Sequence, residues 1–328
     1  MHRPVSGRPR SAAAGPSHST GDAVTRPITT AVNGTRPFGA HLRMSWWKPL
    51  VLLATLPVCL IGSQVLAWSV VGAIEGSDDP FSSEFTPLKS LAANLSIGAT
   101  GVVAVLLLAW MTRVPWRTLL SPLRRFDRRR LADYSAVAAV LVSAGLGTVA
   151  VVAPQATGWT GFAITDTTVA LLAVTLITIP IQATGEELMY RSVLLPATAS
   201  WVRAVRPALA VGLVVSSLAF AALHGSTDAW LAGYIALIAL STGLMAIISG
   251  GVEAPIAFHV VNNVLAGIGN NVMTGGGTSA VDRSTETGGP PLLILGAVNV
   301  AMVVVVWLHE KRRRAVPPHR ELSGEWTR

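Results

Sequence analysis

Apolar residues in this chain come in long blocks separated by short polar stretches, and no charged face recurs within the blocks at helical period. A helix rises 1.5 Å per residue and the hydrocarbon layer of a bilayer is about 30 Å thick, so about 20 apolar residues span it. Blocks of that kind run from about Pro49 to Ile74, Leu91 to Met111, Tyr134 to Val152, and Thr168 into the Glu186 region. Four more follow, from about Pro207 to Leu223, Ala229 to Ile248, Ala254 to Ile268, and Leu292 to Leu308. The pattern predicts an all-α, polytopic membrane helix bundle of eight transmembrane helices, the seventh short. Trp46, Trp47, Trp110, Trp116, Trp201, Trp230 and Trp307 fall near the block ends, where indole rings favour the lipid–water interface.

Composition agrees. Of 328 residues, 51% are hydrophobic and 13% charged, against about 25% charged in soluble proteins; the mean hydropathy is +0.53. The net charge of +8 sits in three places. Residues 1–45 carry Arg3, Arg8, Arg10, Arg26, Arg36 and Arg43 among Ser, Thr, Pro and Gly, which reads as a disordered basic tail without a signal peptide. The loop 112–133 holds seven arginines from Arg113 to Arg130, and the segment 311–328 opens with Lys311, Arg312, Arg313 and Arg314. The loop after the first block is acidic instead, with Glu75, Asp78, Asp79 and Glu84. Eight crossings bring the three basic segments to one side, which predicts cytoplasmic termini. The basicity is thus topological, with attraction to anionic lipid of the bilayer added, and no motif points to nucleic acid. The single cysteine, Cys59, excludes an intrachain disulfide or a cysteine-built metal site. The Gly-, Thr- and Ser-rich stretch Gly269 to Pro291 reads as a flexible external loop.

Polar residues within the apolar blocks are the informative ones, because a charge at a helix centre costs about 2.5–3.5 kcal/mol on the insertion scale. Three clusters stand out. In Glu186-Glu187-Leu188-Met189-Tyr190-Arg191, Glu187 and Arg191 are four apart and pair on one helix face. Glu186 points about 100° away and is left to project into a cavity. Phe220-Ala221-Ala222-Leu223-His224 closes the fifth block. His259-Val260-Val261-Asn262-Asn263 lies in the seventh, with His259 and Asn263 on one face and Asn262 turned toward a neighbouring helix.

One free carboxylate, two imidazoles and an amide supply the parts for amide hydrolysis. Glu186 can take a proton from water, the histidines can hold that water or a metal, and His259 with Asn263 can donate to an oxyanion. A covalent route is disfavoured, since Cys59 is remote and no serine stands in a nucleophile-elbow context. Glu186, His224 and His259 also make up a zinc-type ligand set with an open position. A Glu186 that binds zinc or another divalent metal is no longer a free base, and the His-Glu-x-x-His helix is absent, so a metal-independent site stands beside the metal one.

The three motifs, in this order and spacing, resemble the CPBP family (ABI, or CAAX-protease and bacteriocin-processing family), which includes the Rce1-type prenyl-protein endopeptidases. The matching positions are Glu186, Glu187 and Arg191, then Phe220 and His224, then His259 and Asn263, flanked by Leu194-Leu195-Pro196 and Ala254-Pro255-Ile256. The resemblance covers about Thr168 to Ile268. It implies an intramembrane metalloprotease-type endopeptidase in which Glu186 activates water with His224, His259 and Asn263 stabilise the oxyanion, and Glu187, Arg191 and Phe220 shape the site. The substrate it implies is a membrane-associated peptide or protein, and the setting a bacterial plasma membrane. The runner-up readings are a proton-coupled transporter, with Glu186, His224 and His259 as relay, and a noncatalytic immunity or scaffold protein on the same fold.

The domain plan is therefore a tail (1–45), accessory helices (46–164), a catalytic core (165–270), a loop with the last helix (271–310) and a basic tail (311–328). Counting rises from the block ends places Glu186 about 21 Å above Ser200, His224 about 25 Å above Pro207, and His259 only about 8 Å above Ala254. The site closes only if the seventh helix starts within the membrane or its neighbours are tilted or broken.

Overall fold

The computed structural model describes residues 31–277, 279–280 and 288–315. Helices dominate: Trp47–Glu75 (α1), Pro87–Thr112 (α2), the short Trp116–Leu120 (α3), Arg128–Val152 (α4) and Asp166–Glu187 (α5). After a widened helical stretch at Leu188–Leu194 come Leu195–Ala199 (α6), Val205–His224 (α7), Ala229–Ser249 (α8), Glu253–Met273 (α9) and Leu292–Ala315 (α10). Two-residue strands, Glu84–Phe85 (β1) and Ser279–Ala280 (β2), pair antiparallel with Glu84 opposite Ala280.

Local chemistry sets the helix starts. Thr86 accepts from Lys89 N (3.1 Å) ahead of Pro87, which lacks an N–H at a position that needs none. Asp127 caps α4 by accepting from Arg129 N (2.9 Å) and Arg130 N (3.3 Å). Asp228 caps α8 through Leu231 N (2.8 Å) and also accepts from Gly288 N (2.9 Å). These two N–H groups hold the Asp228 carboxyl below its ordinary range.

Among the described residues seven helices are long and apolar enough to cross a membrane, with Asp166–Ala199 counting as one. The eighth expected span, α9, has 21 residues and so the length, but falls outside that set. Glu253, His259, Asn262, Asn263, Asn270 and Asn271 dilute its apolar content. The helix survives because its first seven residues are buried between neighbours, α4 and α5 foremost.

Two clusters form the larger part of the core among the described residues. One joins α1, α2, the widened stretch and α7 around Leu56, Leu108, Met189, Tyr190 and Phe220. The other joins α4, α8, α9 and α10 around Tyr134, Met245, Phe258 and Met302. Where α2 crosses α5 the backbones touch: a Cβ on Gly185 would lie 2.6 Å from Gly98 Cα, and one on Gly101 would lie 2.4 Å from Gly185 Cα. This contact immediately precedes Glu186.

Three expectations change. Residues 1–30 lie outside the described residues, but 31–45 are packed and not a disordered tail. Phe38 packs with Ala246, Val252 and Ile256, Ala40 with Ala199 and Ala208, and Leu42 joins the first core cluster. Asn33 N donates to His41 O and Arg43 N to Ala31 O (both 2.7 Å), and Arg36 Nη2 donates to Arg203 O (2.9 Å). The stretch Gly269 to Pro291 is not simply loop either, since α9 runs to Met273, whose carbonyl accepts from Thr160 N (2.9 Å), and β2 pairs with β1. Helix α10 likewise continues past Lys311 to Ala315.

The arginine-rich loop is anchored to the start of α9. Glu253, fully buried in the first turn, accepts from both terminal nitrogens of Arg124 (Nη2 to Oε2, 2.9 Å) and from Asp127 N (2.8 Å). Val252 N donates to Leu120 O (3.2 Å). Burial disfavours charge on Arg124, but the Glu253 carboxylate outweighs it and raises the guanidinium above its usual value.

Candidate active site

Four side chains form a connected buried chain. Arg191 Nε lies 3.0 Å from Glu187 Oε2, the pairing that the four-residue spacing predicts. Glu187 Oε1 lies 2.7 Å from His259 Nδ1. An ionised carboxylate can only accept, so Nδ1 carries the proton and donates. His259 Nε2 then faces Glu186 Oε2 at 3.4 Å, beyond a good hydrogen bond. Glu187 is fully buried and Arg191 1% exposed, whereas Glu186 retains 8% exposure. Among the described residues His259 is the one ionic partner of Glu186, so its lone pairs stay available to a water.

The elements explain the placement. Leu188–Leu194 is a π-type turn, in which Leu195 N donates to Tyr190 O, five residues back. Pro196 follows at once. Its ring would strike the carbonyl four residues earlier in a regular helix, and the wider turn relieves that clash. Arg191 sits inside this turn and reaches α8, donating from Nη2 to Ala239 O (3.0 Å) and to Thr242 Oγ1. Its guanidinium carbon lies 5.0 Å from the Phe220 ring centroid and 5.7 Å from that of Tyr190.

Phe220 is the hub of the aromatic packing. Its centroid is 4.9 Å from Tyr190, 4.4 Å from His224 and 6.0 Å from His259. His224 Nδ1 is 2.8 Å from Phe220 O, one turn back on its own helix. A carbonyl only accepts, so Nδ1 again bears the proton. Asn262 Nδ2 donates to Asn263 Oδ1 (3.1 Å), which leaves the Asn263 amide nitrogen free to donate elsewhere.

The straight-helix count does not hold for His259, and the condition it set for closure, a broken neighbouring helix, is met at Leu188–Leu194. Glu186 and His224 were expected to agree, with His259 the outlier. Instead His259 touches both glutamates, and the Phe220 ring packs against both imidazoles. Counting from helix ends assumes straight, parallel helices, and the widened turn below Glu187 breaks that assumption.

A catalytic zinc takes three protein ligands. Among the described residues no group of three His, Cys, Asp or Glu side chains is placed to hold a metal ion. Glu186, His224 and His259 do not assemble as one ligand set, and Glu187 Oε1 is already engaged by His259. The residues as placed do not fit such a metal.

Sequence reasoning missed Thr242 and Tyr190 as partners of Arg191. Thr242 had a signal, for Ser241-Thr242 is a polar pair in an otherwise apolar block.

With the geometry in hand, residues 167–265 match the family described as type II CAAX prenyl endopeptidase Rce1-like. That segment belongs to the Rce1-like family, within the CPBP group that the motifs resemble, and it holds every residue of the buried chain. The family implies peptidase activity in general, and the apolar helices mark an integral, multi-pass membrane protein. No curated protein and no solved structure matches the chain.

Proposed function

We propose that the protein is an intramembrane endopeptidase that hydrolyses a peptide bond of a membrane-associated protein or peptide, with Glu186 as the base that activates water. The observation that supports this most is the division of labour between the adjacent glutamates: Glu187 is consumed by Arg191 and His259, and Glu186 is not. Glu186 takes a proton from water as the oxygen attacks the scissile carbonyl carbon. The tetrahedral oxyanion accepts hydrogen bonds from Asn263 Nδ2 and from His259 in its doubly protonated form, with Nδ1–H tied to Glu187. In that form the four groups balance, two carboxylates against a guanidinium and an imidazolium, which a low-dielectric interior requires. Glu186 then passes its proton to the leaving amine. His224, which the family pattern pairs with Phe220 one turn back, assists Glu186 in activating the water. Both termini face the cytoplasm.

The test is a proteomic comparison of membranes carrying the native protein or Glu186→Gln, which keeps shape and removes the base. C-terminal fragments present only with the native protein support the peptidase. Equal fragment patterns with a lost ion or solute flux would replace it by a carrier.

A further inference from the structure

A cavity of about 1200 Å³ lies beside the catalytic core. It exceeds the roughly 300–1,000 Å³ of small-molecule sites. Leu188, next to Glu187, and Ile256, three residues before His259, form its inner wall. The opposite wall is α2, where Leu106 and Val102 lie about 9 and 15 Å from the helix end at Thr112. Arg117, Arg124, Arg125 and Arg128 line the same cavity, and no Asp or Glu does. Arg124 is committed to Glu253, but Arg117, Arg125 and Arg128 are exposed and pair with no carboxylate among the described residues. Arg117 lies over the Trp116 ring at 5.2 Å.

We infer that this cavity binds an anionic phospholipid, with its phosphodiester at Arg117, Arg125 and Arg128 and an acyl chain along α2 toward Leu188. Three features carry the assignment. The arginines stand in the connection between the membrane helices α2 and α4, Arg117 in α3, Arg125 in the loop and Arg128 at the first turn of α4, which is headgroup depth. Below them the lining is Val102, Val105, Leu106, Leu188 and Ile256 with the hydroxyl of Thr184, over about 15 Å of α2, the reach of a chain segment and not of a free anion. Unpaired cations without acids select a negative head over a zwitterionic one. An acidic peptide would satisfy the arginines but not the apolar depth. The inference stands independently of the peptidase reading.

The full-length protein in detergent is offered phosphatidylglycerol and phosphatidylcholine of equal chain length and weighed by native mass spectrometry. Phosphatidylglycerol should be retained about tenfold better at low salt, and less so at high salt. Arg117→Gln/Arg125→Gln/Arg128→Gln should remove that preference, while Lys311→Gln/Arg312→Gln, outside the cavity, should keep it. A phosphatidylglycerol with a diazirine in its acyl chain should label the native protein at Val102 to Leu106, a readout that needs no variant to fold. Equal retention of both lipids, a preference that survives the triple substitution, label spread evenly over the helices, or displacement by an acidic peptide would each overturn the assignment.

Discussion

Two adjacent glutamates are told apart by about 100° of helix rotation. Glu187 turns toward Arg191 and His259, and Glu186 toward a space where, among the described residues, its one ionic neighbour is the far nitrogen of the same imidazole. Their substitutions should part accordingly. Glu186→Gln removes a base and leaves the buried ion pair intact, so cleavage should vanish with little change in unfolding temperature. Glu187→Gln strands a buried guanidinium and should cost about 3–5 kcal/mol, read as a lower thermal midpoint in detergent. Equal midpoints for the two variants would contradict the assignment. This much was legible in the sequence, because an i, i+4 pair is decided locally. The approach of His259 to both carboxylates was not, since it depends on how α9 lies against α5, and residue spacing within one helix carries no such information.

Between elements, the decisive contact is the α2–α5 crossing. With Gly98, Gly101 and Gly185 at the interface the backbones meet directly, and Glu186 is the next residue. Gly101→Ala would drive a Cβ to 2.4 Å from Gly185 Cα, a backbone atom that cannot swing aside. The helices must part, at about 1–3 kcal/mol, and the position of Glu186 shifts with them. Thermal unfolding should show the cost, and Gly62→Ala, with nothing within 4 Å of the added carbon, should not. Hydropathy revealed the long helices but ranked α9 poorly, because a helix that carries polar residues into a protein interior loses the apolar signal that marks a span. The widened turn was also invisible, for Pro196 announces a disturbance without saying whether the chain kinks or widens.

Across the molecule, the strip from Ala31 to Met44 closes one end of the bundle against α6, α7 and α8. Its sequence had one clue, the alternation of Phe38, Ala40 and Leu42, too short to outweigh the Pro, Gly, Ser and Thr around it. His41 is buried within the strip, accepts from Gly39 N at Nδ1 (3.2 Å), and stacks on Phe38. Burial pushes its pKa down from 6.5 to about 4. A depressed histidine binds its proton more readily when unfolded, so its contribution is complete above pH 6.5 and lost as the pH falls toward 4. The loss amounts to about 3 kcal/mol at most. Protection against hydrogen exchange in residues 31–45, taken relative to the intrinsic base-catalysed rate, should therefore fall between pH 7 and pH 5 and stay constant between pH 7 and pH 8; constant protection throughout would refute the role of His41. The strip also constrains the order of assembly. It leaves the ribosome before α1, yet Phe38 rests on Val252 and Ile256, which are translated long afterwards. The segment made first among these thus docks last, and until the ninth helix has emerged its apolar residues must wait without the surface that covers them.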